Sequence, residues 1–383
     1  MTQKVNYFAR KVKNISILIF LIIVSIILIL SPSMTNKSVK LGMDYCFNLL
    51  IPSLFPFMFI SSFIVIIAMN MDCNKIINKI TKFLFFLPGY TLPLILLSLI
   101  GGYPVGAKCA KILFDNKKIT VKQLNFIMCF CVNSGPAFII TILGDQILNN
   151  RFMGLIIFLI QVILAILIGV FVGIKERITD KNFYFENNFF EEKKEDNISE
   201  SFVVSAKVVS ESLIEMCALI IVFSVLIGLL NDFGIFKILS DFLLEKFGMS
   251  VLDSGTFLIS FLEITSACVQ SIGYNVSPII LAFSVGFGGL CAHLQIASIL
   301  KGSDFNFRKF LFFRLINGIL TSFTFYIFLI SNENTQRVFS TISKNITLIK
   351  SNALTIHGSV SLFLLCIYFL VFVNFKIENK IRK

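Results

Sequence analysis

The sequence predicts an all-α polytopic membrane protein, with about eight crossings and two re-entrant or broken segments arranged as inverted repeats. Three observations lead there. Of 383 residues, 56% are hydrophobic and only 15% charged, with 44 Phe and a mean hydropathy of +0.87; a water-soluble chain carries about 25% charged residues and could not hide so much apolar surface. The apolar residues gather into runs about 20 residues long, the length that crosses a bilayer. The 34 Lys and Arg against 22 Asp and Glu, net +12, fall in the loops between those runs, as in cytoplasmic loops rather than a nucleic-acid surface. A soluble enzyme, a secreted module and a DNA-binding domain are thereby excluded. The lipid bilayer is the expected partner, nucleic acid is not, and no cofactor is expected.

Asn14 to Leu30 is a continuous apolar run behind Lys4, Arg10, Lys11 and Lys13. It is too long for a signal peptide and lacks a small-residue cleavage site, so a retained first helix is expected. Further apolar segments run at 47–69, 91–107, 124–143, 152–174, 208–230, 255–273, 277–300, 310–330 and 353–374, ten in all. If all ten cross from a cytoplasmic N-terminus, 17 basic residues lie inside and 16 outside. If 91–107 and 255–273 enter the membrane and return to the same side, 25 lie inside and 8 outside, with Arg314, inside a span, counted in neither. The positive-inside rule favours the second arrangement, a multi-pass protein of the cell membrane with both termini cytoplasmic.

The residues of those two segments agree. Segment 91–107 contains Pro93, Gly101, Gly102, Pro104 and Gly106, too many breakers for a straight helix in lipid. Segment 255–273 carries Glu263, Thr265, Ser266 and Gln270, and a carboxylate facing lipid there would be costly. Backbone freed at such depth must be buried in protein or line a cavity.

Self-comparison shows two halves. Leu96 to Ile100 answers Leu258 to Leu262, and Met128 to Pro136 answers Leu281 to Gly289. Ile76–Phe86 and Phe236–Phe247 are both amphipathic stretches suited to the interface. With three crossings per half, the second copy is inverted relative to the first, and paired broken segments in inverted halves point to a transport site near the midplane. The expected domains are 1–46 (N-terminal membrane helix and external loop), 47–174 (first repeat), 175–207 (charged cytoplasmic linker with Glu191 to Asp196), 208–330 (second repeat) and 331–383 (C-terminal membrane helix and basic tail).

Candidate substrate-binding residues follow from the breaks. Gly101, Gly102, Tyr103, Pro104 and Gly106 leave backbone groups free to meet a ligand, and Asn133, Ser134 and Gly135 add an amide and a hydroxyl. Glu263, with Thr265 and Ser266 beside it, is a membrane-embedded acid that must be paired or neutral, either bound to Lys108 or serving a solute or proton. Gly288, Gly289 and His293 are the counterparts of the Asn133 stretch in the second half; a lone intramembrane His is more often a hydrogen-bonded packing residue. Glu211 and Glu215 are read as interfacial pairing residues. The nine Cys lie mostly in apolar runs with no metal-binding spacing, so no metal site is expected. No catalytic motif occurs, so an enzyme is not expected.

Four strings carry a resemblance: Asn48 to Phe57, Gly101 to Ala107, Asn133 to Phe138, and Phe261 to Thr265. Over roughly 40–375 the chain resembles the YlbJ-type sporulation integral membrane proteins, of the nucleoside-recognition or Gate-domain superfamily. The resemblance implies a membrane protein of spore-forming bacteria needed for spore cortex formation; the superfamily name alone does not make a nucleoside the ligand. The reading is a transporter or permease of a small polar or anionic solute. Its alternative is a non-transporting membrane scaffold or assembly factor for sporulation components; other sporulation membrane proteins or further copies of the chain are the protein partners considered.

Overall fold

The computed structural model describes residues 24–69, 75–179 and 198–331, together with Ile15, Leu18, Ile19 and Ile22. The chain divides into two compact units, 1–327 and 328–383, and apart from the last residues before Ser331 everything described belongs to the first. The expected first span is helical over 24–30. The Glu191 to Asp196 run and the expected span 353–374 lie outside the described residues.

All regular structure among the described residues is helical, without strands. Five stretches are long and apolar enough to cross a bilayer: Pro32–Ile64, Arg151–Thr179, Ile198–Asp232, Pro278–Ile299 and Phe307–Ser331. Shorter apolar helices occupy Gly89–Ile100, Ala137–Ile147 and Val251–Leu262.

The first half begins with α1 (Pro32–Tyr45), where an external loop was expected. Its sequence is polar, and the helix owes its place to packing rather than hydropathy. It runs along α8 (Ile198–Asp232) through small residues: a Cβ on Gly42 would sit 3.0 Å from Ile221 Cα, and one on Gly228 would strike Ser38 Oγ at 2.1 Å. Backbones approach this closely only where side chains are absent or minimal. A π-turn, Cys46–Leu50, joins α1 to α2 (Ile51–Met69), beside Pro52, which removes a helix donor.

Next come α3 (Lys75–Phe85), α4 (Leu92–Ile100) and α5 (Tyr103–Asp115). Then α6 (Val121–Ile127), started by a capping box between Thr120 and Gln123, gives way to an irregular stretch over 128–135. A π-helix, Ala137–Ile147, and the 29-residue α7 (Arg151–Thr179) complete the half. The second half has α8, α9 (Ile235–Phe247), α10 (Val251–Leu262), α11 (Ile264–Gln270), α12 (Pro278–Phe287), α13 (Gly289–Ile299) and α14 (Phe307–Ser331). Each half thus presents a long helix, an amphipathic helix, a pair of short helices, an interrupted helix and a long helix. The expected linker 175–207 is helical at both ends, as α7 runs on to Thr179 and α8 starts at Ile198.

The largest apolar core surrounds the interrupted stretch of the first half, where Phe130 stacks on Phe85 and tilts against Phe126. Outward faces of the long helices carry Leu159, Ile163, Phe171, Ile214, Phe312 and Phe323, the surface a bilayer would cover.

Candidate functional site

In both segments the chain folds into a helical hairpin. In the first, α4 ends at Gly101, Gly102 adopts φ +85°, and Pro104 near the start of α5 restarts the helix. A Cβ on Gly106 would lie 2.8 Å from that of Ser98, so the two arms lie side by side. The hairpin's ends also meet, since Tyr90 Oη donates to Lys118 O at 2.6 Å. In the second, α10 and α11 join at Glu263, whose φ of −149° interrupts the helix. Its arms are bridged by Thr256 and Ser271, and its ends by Ser277 N donating to Asp253 Oδ1 at 2.8 Å.

Each hairpin tip rests on the interrupted helix of its own half. A Cβ on Gly135 would lie 3.1 Å from Ile100 O and 3.4 Å from Gly102 N. Gly288 and Gly289, at φ +95° and +76°, interrupt α12–α13, and a Cβ on Gly289 would lie 3.0 Å from Ser260 O and 3.3 Å from Leu262 O. Tyr103 joins the halves. A Cβ on Gly288 would sit 2.9 Å from its ring, its hydroxyl donates to Val285 O at 2.7 Å, and it accepts from Ser134 Oγ at 2.6 Å.

Where these pieces converge lies a cavity of about 60 Å³, enough for a few water molecules. Of the residues expected from sequence, Gly101, Gly102, Tyr103, Pro104, Ser134, Gly135, Glu263, Thr265 and Gly288 line it. Gln295 and Cys291 add polar atoms, and Leu50, Leu54, Met58 and Phe138 supply apolar wall. Glu263 is the carboxylate of this lining, 2% exposed. Its Oε1 accepts from Thr265 N at 2.8 Å and its Oε2 from Ser266 N at 2.5 Å, so it caps α11 and meets the positive end of that helix.

The other expected residues stand outside the lining. Gly106 serves hairpin packing against Ser98 and Cys131. Asn133 donates to Phe130 O at 2.7 Å and accepts from Gln161 at 3.5 Å, which holds the irregular stretch. Ser266 lends its amide to Glu263, Gly289 lets the backbones touch, and His293 is clasped edge-on by Phe287 and Phe310 with its Nε2 on Phe287 O at 2.8 Å. The expected alternative of a Glu263–Lys108 pair is not formed: Lys108 Nζ donates to Val208 O at 3.0 Å and lies within electrostatic reach of Glu211 and Glu215. Glu215 also accepts from Ser298.

Sequence reasoning overlooked the contributions of Met216 and Ile220 from α8, which close the cavity beside Glu263. Both sit in an apolar helix whose pattern does not distinguish a cavity wall from a lipid face. Arg314, set aside in the charge count, is the largest fully buried side chain among the described residues.

The chain is similar to the protein of Bacillus subtilis (strain 168) named sporulation integral membrane protein YlbJ, with 22% identity over 332 residues, covering 81% of each chain. No family model matches the chain, and no solved structure matches it.

Proposed function

We propose that this is a multi-pass membrane protein of sporulation that passes a small polar solute needed for spore cortex formation. The observation that carries the reading is the meeting of two helical hairpins and two interrupted helices around a cavity bearing Glu263 and Tyr103. Interrupted helices offer unpaired amides and carbonyls to a solute at a depth where lipid offers nothing. The similarity to the Bacillus subtilis protein supplies the sporulation context.

The proposed topology has eight crossings, two re-entrant hairpins, Gate-like halves at 47–174 and 208–330 inverted relative to each other, and both termini in the cytoplasm. Contacts among loops support it. Segments assigned by basic residues to the cytoplasmic side touch one another: Asn125 Nδ2 donates to Asp304 O at 3.4 Å, Asn306 N donates to Asn125 Oδ1 at 2.7 Å, Lys309 pairs with Glu176 at 2.5 Å, and Arg177 lies over the Phe86 ring. Asp253 and Ser277, assigned to the outside, also touch. In the proposed topology the hairpin closed by Tyr90 and Lys118 opens toward the cytoplasm and that closed by Asp253 and Ser277 toward the outside.

The test is uptake into proteoliposomes across a panel of nucleosides, amino acids and cell-wall precursors, with wild type, Glu263→Gln and Ser134→Ala. Flux of at least one solute above protein-free vesicles, reduced by either change, is expected. Absence of flux for the whole panel, or flux indifferent to both changes, sinks the transport reading in favour of a scaffold.

A further inference from the structure

Arg314 lies about two turns into the membrane-length α14 and is fully buried. None of its three guanidinium nitrogens has a hydrogen-bond partner, and no carboxylate among the described residues is within ion-pair distance. A buried cation left without an acceptor is among the costliest arrangements a protein can hold. Inside a membrane, such a residue marks a functional site by default.

The surrounding groups sharpen the case. One turn along the same face, Asn317 Oδ1 accepts from Thr321, and Asn317 Nδ2 is left without a partner. His293 lies within electrostatic reach of Arg314; its Nε2 donates to Phe287 O, which leaves Nδ1 an acceptor, and that lone pair meets no donor. The five guanidinium N–H groups and the Asn317 amide donor outnumber that one lone pair, and what the cluster lacks is an anion. Phe310, Arg314, Asn317, Gly318 and Thr321 form the inward face of α14, with Gly318 against Gly286 of α12. Phe312, Leu315, Ile319 and Phe323 face outward, so the guanidinium points to the protein interior rather than to headgroups. Tyr103 is common to cavity and cluster: it lines the first and is within electrostatic reach of both Glu263 and Arg314.

We infer that Arg314, with Asn317, forms an oxyanion-binding subsite that takes a carboxylate or phosphate group. The planar fork of five N–H donors matches the two oxygens of either group. Identifying this anion as part of the transported solute rests on the proposal above; the site itself does not.

The experiment uses the full chain in phosphatidylcholine nanodiscs, titrated with inorganic phosphate or acetate against chloride at constant ionic strength. Thermal unfolding is read through dye labelling of the buried cysteines. Wild type should show a saturable rise of about 2 °C at roughly tenfold excess over half-saturation for at least one of the two anions. Arg314→Met should lose that rise while melting, in chloride, at or above wild type, because an unpaired buried charge has been removed. Arg314→Lys and Asn317→Ala should weaken the rise and shift half-saturation upward at least several-fold. A rise that persists in Arg314→Met, no rise in wild type with either anion, or Arg314→Met melting far below wild type would each overturn the inference; the last would mean that the guanidinium already has a partner. Stabilisation appearing only when phosphatidylglycerol is added assigns the charge to lipid and also overturns it. Anion binding without flux sinks transport alone, whereas flux of neutral solutes without anion binding sinks only this subsite.

Discussion

Replacing Gly106 by alanine adds one carbon to the inner face of the first hairpin, where it would stand 2.0 Å from Cys131 O and 2.8 Å from the Cβ of Ser98. Ordinary contact begins near 3.4 Å, so hairpin and interrupted helix must part by about 1.4 Å. Neither obstacle is the tip of a flexible side chain. Overpacking of this kind costs about 1–3 kcal/mol, and a gap near 1 Å forfeits up to about half of each facing dispersion contact along the seam, which brings the total to about 3–5 kcal/mol. For a chain of this size the melting midpoint should fall by about 4–6 °C. Gly255 is the control: it lies inside α10 with nothing within 4 Å of an added Cβ, and Gly255→Ala should leave the midpoint unchanged or raise it through a helix-propensity gain of up to about 1 kcal/mol. A thiol-reactive dye reads the transition, because Cys109, Cys129 and Cys131 are buried beside the seam. Gly106→Ala melting with wild type, or Gly255→Ala falling equally far, would refute the reasoning.

Two further outcomes follow from the same geometry. Glu263→Ala removes both acceptors at the start of α11 and should cost about 1–2 kcal/mol, whereas Glu263→Gln, keeping one oxygen, should cost less than half as much; equal melting of the two variants would contradict the capping role. Single cysteines at Lys118 and Asp304 should react with an impermeant thiol reagent from the cytoplasmic face and one at Asp253 from the opposite face, in a background lacking other accessible thiols; labelling of Lys118→Cys from outside would overturn the topology.

The breaks were legible because Gly and Pro act locally. Five of them within 91–107 leave a helix no alternative, and the turn falls at Gly101–Gly102. Amphipathic spacing likewise located the helices Lys75–Phe85 and Ile235–Phe247 to within a residue of the expected ends. Helix α1 was not legible, because polar residues such as Thr35, Asn36 and Lys37 read as loop, and what makes them helical is a seam with Ser224 and Gly228 far along the chain. Nine of the residues singled out from sequence share one cavity, but the role each plays in the fold was not legible. Spacing placed Glu263 at a break, yet whether its oxygens meet Lys108 or the amides of its own helix depends on a backbone angle that composition does not carry. Asn133 drew notice as a polar residue in an apolar span, and the fold uses it to tie down its own chain. Arg314 was visible but silent: only the lack of partners for its nitrogens gives it meaning.

The small-residue seam between α1 and α8 also bears on biogenesis. Ser38 and Gly42 pack against Ile221, Ser224 and Gly228, which emerge from the ribosome roughly 10–40 s later at about 5–20 residues per second. During that interval the notched stripe of α1 has no protein to fit. Docking of α1 therefore waits on α8, and a nascent polypeptide halted before Ile221 should be recognised by quality-control proteases as incomplete even with its first hairpin fully formed.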